Sequence, residues 1–498
     1  MPKIALQANE AAKAAVADAI SQLKIEAGVT ENFSPQALAQ AERSCDIDIS
    51  DLPDKRDIPL VTIDPEGSRD LDQAVYLEEN DRGFVVYYAI AALNLFVEPE
   101  SVLDLELRER GQTVYLPDAS IPLHPRVVSE GAASLLPNVD RPAYVWTHKL
   151  NREGELERTD VVLAQVRSRA QLSYVQVQEC VDGGVGLPNE VPSSLAPLLK
   201  TIGELRIAAE VARGGISLDL PEQRIESTDR GFKLVFRELT QVENWNAQIS
   251  LLTGMAAAKL MVDANVGVLR TLPAAQDEDM ARLRRVADAL GLNWKREQTY
   301  PEFLRTLDST SGTALVFLNQ AAGLFRGAGY LSLPEVDGTT VDAQKRLHGA
   351  IAAEYAHVTA PLRRLVDRYG LEVCRCICAH EPIPEWVLHI LPQLPKIMNE
   401  SNRKVNALEK RALGAVEALI LQGREGEKFA ATVIELREQR EDEPGIVRGK
   451  IMLDDPALEA SVSGASLPLG ERIEVELERV DITKGKSYFR YQSSAEKE

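Results

Sequence analysis

Basic charge is in deficit in this chain: 56 Lys and Arg stand against 76 Asp and Glu, for a net charge of -20. Such a surface repels nucleic acid on average, so a nucleic-acid site would have to be a local basic patch or recruit metal ions. Cysteine is scarce and odd in number, with Cys45, Cys180, Cys374, Cys376 and Cys378. So few in so long a chain exclude a disulfide-built fold and read as reduced and intracellular. Long apolar runs are missing too. The longest uncharged run, Phe84 to Val97, is too short to span a bilayer as a helix, and its β-branched and aromatic residues suit a buried strand followed by a turn. The N-terminus has no apolar core of signal-peptide length. The expectation is a soluble, cytoplasmic, monomeric protein with no membrane partner. No internal repeat is evident at a period of about 20–50 residues. The run CRCICAH, with Cys374, Cys376, Cys378 and His380, lacks a usual zinc spacing and lies in a stretch that reads as helix, so core packing is its better reading.

A hydrophobic fraction of 45% is ordinary for a globular protein, and 498 residues suggest two to four domains. Residues Ala8 to Ala27 are Ala-rich at helical spacing, and Ser34 followed by Pro35 marks a second helix start. Residues 1–56 therefore read as a small helical unit, either a helix-turn-helix or a packing appendage. Strand-like segments follow: PLVTI, QAVYLEE, GFVVYYAIA, YVWTHKLN and ERTDVVLAQVRSRAQL. Helical patterns then dominate over Ser194–Arg213, Gln241–Leu260, Asp277–Leu290, Pro361–His380 and Pro395–Leu421. Strands first and helices after is an α+β pattern, assigned to residues 57–424. Residues 425–498 carry five short alternating segments separated by turn residues, which fits a five-stranded OB-fold barrel, another small β-domain being the alternative.

The stretch TIDPEGSRDLDQAVY gathers Asp64, Asp70 and Asp72 beside residues suited to burial. Like charges brought close cost energy unless a cation sits between them. Asp70 and Asp72, two apart on an extended segment, point the same way, and the turn PEGS could fold Asp64 back toward them. Hard oxygen ligands suit Mg²⁺ or Mn²⁺, and paired divalent ions are a known device for phosphodiester hydrolysis. A solvated acidic loop is the plainer alternative for this stretch taken alone.

VTIDPEGSRDLDQAVY resembles the catalytic signature of the ribonuclease II family of exoribonucleases. Further segments resemble that family in family order: GQTVYLPDASIPLHP, SLLPNVDRPAYVW, RAQLSYVQV, GGISLDLPE, AEYAHVTAPLRRLVDRY and NALEKRA. The resemblance spans roughly Asp57 to Leu421. It implies an RNB-type catalytic domain whose sheets and helices form an RNA channel. It implies Asp64, Asp70 and Asp72 as metal ligands, with Asp72 also catalytic. It implies that Tyr115 holds the 3′-terminal nucleotide, that Arg363 contacts the scissile or a neighbouring phosphate, that Glu409 lies near the last base, and that Tyr174 stacks on a base further along. Core packing is the alternative for the two tyrosines, and surface ion pairing for Glu409.

The chain departs from the family in four places. Gln73 stands where a fourth aspartate usually follows, Leu218 where a phenylalanine stacks, and Ala92 where an aspartate is found. The helical unit 1–56 is too small to be the two cold-shock barrels that usually come first. The expectation is a 3′-to-5′ exoribonuclease that uses Mg²⁺, or Mn²⁺, to hydrolyse single-stranded RNA from its 3′ end to nucleoside 5′-monophosphates. The alternative is a catalytically inactive RNA-binding protein that lost full metal binding at Gln73; a hydrolase of another phosphodiester, such as DNA, is a third. In the C-terminal barrel, Arg448 and Lys450 would grip RNA, with Tyr488 and Phe489 as stacking candidates.

Overall fold

The computed structural model describes residues 10–117, 119–216, 222–228, 231–237, 239–307, 312–322, 327–334, 342–437, 445–456, 458–482 and 484–492. The chain is α+β. Its central sheet is a four-stranded antiparallel meander of Gln73–Asn80, Gly83–Ala91, Asp140–Asn151 and Leu156–Arg167. Alternating apolar residues make these strands, as the sequence pattern predicts. The first two join in a tight hairpin that needs glycine at its exit. Gly83 has φ +150, and a Cβ there would lie 2.1 Å from the Leu150 carbonyl oxygen.

Trp146, Tyr88, Tyr144, Leu77 and Leu71 are fully buried in the core around this sheet. Each side chain of that size contributes about 1.5–3 kcal/mol on burial. Helices Gln241–Asp263 and Leu365–Ala379 supply more of the same core. Within the latter, Cys374 and Cys376 are fully buried, and His380 caps its end in a left-handed conformation at φ 56. All five cysteines are free.

The long helix Leu394–Leu421 is a spine shared by several units. Helix Glu10–Glu26 packs on it, with Ile20 and Leu23 entering the same apolar cluster as Val405, Leu408 and the barrel interior. Helix Pro35–Arg43 packs instead on helix Val102–Arg110. Its Ser34 cap is as the sequence predicts: Oγ accepts from the Ala37 N–H at 3.2 Å, and Pro35 follows. The C-terminal unit is a closed five-stranded barrel of Lys428–Arg437, Val447–Leu453, Glu459–Gly464, Lys486–Arg490 and Arg472–Asp481, in that spatial order. It docks on the spine backbone to backbone, since a Cβ on Gly414 would lie 2.6 Å from the Gly485 carbonyl oxygen. Among the described residues, no helix is long and apolar enough to cross a membrane.

Candidate active site

The short strand Thr62–Asp64 lies outside the central sheet and pairs in parallel with Gln171–Ser173, setting Asp64 opposite Ser173. Tyr174 therefore follows directly beside Asp64, at the start of helix Tyr174–Val181, whose first turn is closed by a Ser173–Gln176 capping box. After Asp64 the chain turns through Pro65–Ser68, with Gly67 at φ +83. It returns through Arg69–Asp72, which Ser134 holds from behind. The fully buried Ser134 hydroxyl accepts from the Leu71 N–H at 3.0 Å and donates to the Arg69 carbonyl at 2.7 Å. The Leu135 N–H adds a bond to the Leu71 carbonyl at 3.0 Å.

These constraints bring carboxylates together in a partly dry place. Burial pushes the Asp64 carboxyl up to about 7, and the charge of Asp70 adds to the rise. Asp64 Oδ2 is buried and has no hydrogen-bond partner. Asp70 is raised by burial, and Asp72, 7% exposed, is raised well above the usual carboxylate range for the same reason. Arg363 offsets part of the rise at all three. Arg126 adds to that offset at Asp70, while Glu130 works against it.

Arg363 is exposed, but its backbone is held on every side. Its N–H bonds to the Ala360 carbonyl at 3.2 Å, and its carbonyl accepts from the Thr113 N–H at 3.0 Å. The preceding Leu362 donates its N–H to Asp72 Oδ1 at 2.7 Å and is bonded at its carbonyl by His124 Nδ1 at 3.0 Å. His124 is fully buried, and burial lowers its imidazole to about 4, so it is neutral and Nδ1 is the donor. Ala360 donates to Asp367 Oδ1 at 2.7 Å. Asp367 in turn takes a two-pronged grip from Arg364, Nε to Oδ2 at 2.9 Å and Nη2 to Oδ1 at 2.8 Å. The two adjacent arginines thus divide: Arg364 is committed to the scaffold, and Arg363 reaches toward the acidic cluster.

Tyr115 and Glu409 meet at the edge of this site. The Tyr115 N–H donates to Glu409 Oε1 at 2.8 Å. Burial raises the Glu409 carboxyl, partly offset by that bond. The Tyr115 ring is half exposed, and partial burial pushes its phenol up to about 12, with Arg363, Asp70, Asp72 and Glu409 all near enough to act on it. Tyr174 is pushed up to about 12 as well, by burial and then by Asp64, and its hydroxyl accepts from Asn246 Nδ2 at 3.3 Å. The seven residues singled out in the sequence therefore share one neighbourhood.

Among the described residues, no three His, Cys, Asp or Glu side chains are grouped closely enough to hold a metal ion by themselves. The amide of Gln73 is bonded to the scaffold: Nε2 donates to the Thr359 carbonyl at 2.5 Å and Oε1 accepts from the Tyr88 hydroxyl. In the barrel, Phe489 is buried against Phe429 and offers no stacking face, while Lys450 is paired with Glu435 at 3.0 Å and Glu459 at 3.7 Å. Tyr488 lies under the Arg479 guanidinium, 4.4 Å from ring centroid to charge. Ala92 is fully buried, and Leu218 lies outside the described residues. Sequence reasoning missed Ser134, His124 and Asp367. All three sit inside the quoted motif segments; the partners of Ser134 and His124 are distant in sequence, whereas those of Asp367, Ala360 and Arg364, lie within seven positions.

Comparison with known proteins follows the same lines. The RNB domain profile matches residues 52–373, and the RNase II-type exonuclease C-terminal S1 domain profile matches residues 427–492. Ribonuclease R of Escherichia coli (strain K12) is 31% identical over 332 residues, covering 63% of this chain and 39% of that protein. The chain thus spans about two fifths of the length of that curated relative. Among solved structures, Mycoplasma genitalium RNase R in complex with ribose methylated single-stranded RNA superposes with a TM-score of 0.83 at 17% identity, over 96% of this chain and 78% of that one. Yeast Ssd1, described as a pseudonuclease, superposes with a TM-score of 0.67 at 16% identity, over 86% of this chain and 52% of that one.

Proposed function

The chain belongs to the RNB domain family, and we propose that its site is that of a 3′-to-5′ exoribonuclease acting on single-stranded RNA ends and releasing nucleoside 5′-monophosphates. The observation that carries this reading is Arg363 standing over Asp64, Asp70 and Asp72 on a loop whose backbone is bonded residue by residue. A guanidinium fork matches a phosphate bidentately. In a net acidic chain, Arg363 supplies the local positive charge that a phosphodiester needs, while the nearby Arg69 and Arg126 are both paired with Glu130.

The donor set fits a divalent cation such as Mg²⁺ or Mn²⁺. Hard carboxylate oxygens drawn toward one another by the turn, with the buried Asp64 Oδ2 lacking a partner, suit such an ion. Mg²⁺ is usually held by one or two carboxylates plus water and substrate phosphate, so it does not require three protein ligands. When bound, the cation supplies charge neutralisation at the phosphate and a more acidic attacking water.

The remaining work falls to the chain itself. Arg363 orients the scissile phosphate and stabilises its developing negative charge. Tyr115 presents a half-exposed ring for the terminal nucleotide. Glu409 holds the Tyr115 backbone and so sets the ring's position. Tyr174, beside Asp64, is partly packed against the main core, and any face it keeps toward the site would be a further stacking surface. Stacking reads no sequence, so cleavage is expected without strong base preference.

A second reading rests on Gln73 standing where the family usually has an aspartate: a protein that binds RNA and does not cut it. A 5′-labelled single-stranded RNA incubated with the protein, with and without EDTA, separates the two. Metal-dependent shortening from the 3′ end supports the enzyme. Binding without shortening, in Mg²⁺ and Mn²⁺ alike, supports the second reading. Equal shortening of a DNA strand would contradict the assignment to RNA.

A further inference from the structure

Gln73 follows Asp72 immediately, yet its amide faces the scaffold. Oε1 accepts from the hydroxyl of Tyr88, which is 1% exposed on the adjacent strand. Nε2 donates to the Thr359 carbonyl, 286 positions away, at 2.5 Å. The Thr359 hydroxyl accepts from Ser250 Oγ at 2.9 Å, on helix Gln241–Asp263. One neutral side chain therefore joins two strands of the central sheet to the segment that ends in Arg363, and a helix joins the same segment from the other side. Asp72 grips that segment as well, at Leu362. Consecutive residues of the acidic stretch thus hold the Arg363 loop at two points, three residues apart.

The chemistry requires an amide here. A carboxylate at position 73 could accept from Tyr88 but could not donate to the Thr359 carbonyl, and it would set a buried charge against that carbonyl's negative end. Conversely, turning Oε1 toward a cation would leave the buried Tyr88 hydroxyl without this acceptor. We propose that Gln73 is a positioning residue: a neutral latch between the carboxylate stretch and the Arg363 loop that gives the cation no ligand. This rests on the hydrolytic reading given above.

The test compares the full-length protein with Gln73→Asp, Gln73→Met, Tyr88→Phe and the Gln73→Met/Tyr88→Phe double variant. Loosening the arginine loop lowers kcat on single-stranded RNA by about 10- to 100-fold in Gln73→Met and Gln73→Asp, because small misplacements near the reacting atoms are costly. KM for RNA changes less than about threefold, since the RNA-contacting side chains remain. Electron paramagnetic resonance titration of Mn²⁺ gives the same stoichiometry and a similar affinity in wild type and Gln73→Asp. A Gln73→Asp protein that gains a Mn²⁺ ion, or binds it about tenfold tighter, while keeping wild-type kcat overturns the proposal. So does a Gln73→Met protein with unchanged kcat. Thermal melts in EDTA separate this from the hydrolytic reading. Even if the wild type does not cut RNA, Gln73→Met and Tyr88→Phe must lower the melting temperature non-additively, as partners in one network do; independent, additive shifts overturn the latch.

Discussion

Asp72 accepts a 2.7 Å hydrogen bond at Oδ1 from the backbone N–H of Leu362, the residue that precedes Arg363. One carboxylate oxygen of the acidic stretch thus supports the loop that delivers the arginine, which leaves the other oxygen for the site. Position and charge at Asp72 can therefore be separated by mutation. Asp72→Asn keeps an acceptor for Leu362 and loses the charge. It should retain the fold and most of the RNA affinity while cleavage falls by about 10²- to 10³-fold. Asp72→Ala also leaves the buried Leu362 N–H unpaired, which costs roughly 1–3 kcal/mol of stability. Chemical denaturation alongside an RNA-cleavage assay distinguishes the two, and an Asp72→Asn protein cutting at wild-type rate would remove Asp72 from the chemistry.

Arg363 and Arg364 should respond oppositely. Arg363→Lys keeps a positive charge but not the planar fork. Its melting temperature should match wild type, because the side chain is exposed, while kcat drops by about 100-fold. Arg364→Ala strips the partner from fully buried Asp367 and should cost about 3–5 kcal/mol in folding stability. Equal effects of both substitutions on stability would contradict the division of roles.

On this proposal the ring of Tyr115, half exposed, should matter more than its hydroxyl. Tyr115→Phe should bind RNA as wild type does, and Tyr115→Ala should weaken 3′-end binding by about 1–3 kcal/mol, the range of one base–aromatic stack. Fluorescence anisotropy with a short RNA in EDTA measures this without turnover. A large loss in Tyr115→Phe would show that the phenol, not the ring, is the working group.

His124 sets a pH dependence. Its imidazole titrates near 4 in the folded chain, against an ordinary value of 6.5, because burial disfavours the charged form. The unfolded chain therefore binds the extra proton first as pH falls. Stability from this group is complete above about 6.5 and is lost as pH falls through about 4. His124→Gln, which can still donate to the Leu362 carbonyl, should flatten the fall in melting temperature across that window. An unchanged profile would mean that other groups govern acid sensitivity.

Much of this molecule is legible in the sequence, and what is not has a common cause. Alternation in GFVVYYAIA, YVWTHKLN and the five C-terminal segments encodes strands locally, and Ser34–Pro35 encodes a helix start; both signals act within a few residues. The seven site residues were readable through motif resemblance, and the fold brings them together. The role of Gln73 was not readable, because its partners Tyr88 and Thr359 lie 15 and 286 positions away and nothing in the local pattern marks them. The same holds for Ser134, whose partners lie 63 and 65 positions away. The difference between Arg363 and Arg364 is local, since Asp367 is three positions from Arg364, but spacing alone does not say which of two adjacent arginines takes it. The burial of Phe489 was readable: in KSYFR, alternation places Ser487 and Phe489 inward and Tyr488 outward.

The central claim, that these aspartates and Arg363 hydrolyse a phosphodiester with the help of a divalent cation, is tested most directly at the scissile phosphate. A single-stranded RNA carrying a phosphorothioate at its 3′-terminal linkage should be supplied as each pure diastereomer. Sulfur binds Mg²⁺ poorly and Mn²⁺ better. One diastereomer should be cut slowly in Mg²⁺ and recover when Mn²⁺ replaces it, and Asp64→Asn should abolish that recovery. Cleavage that persists in EDTA, or a sulfur effect identical in both metals for both diastereomers, would contradict the claim.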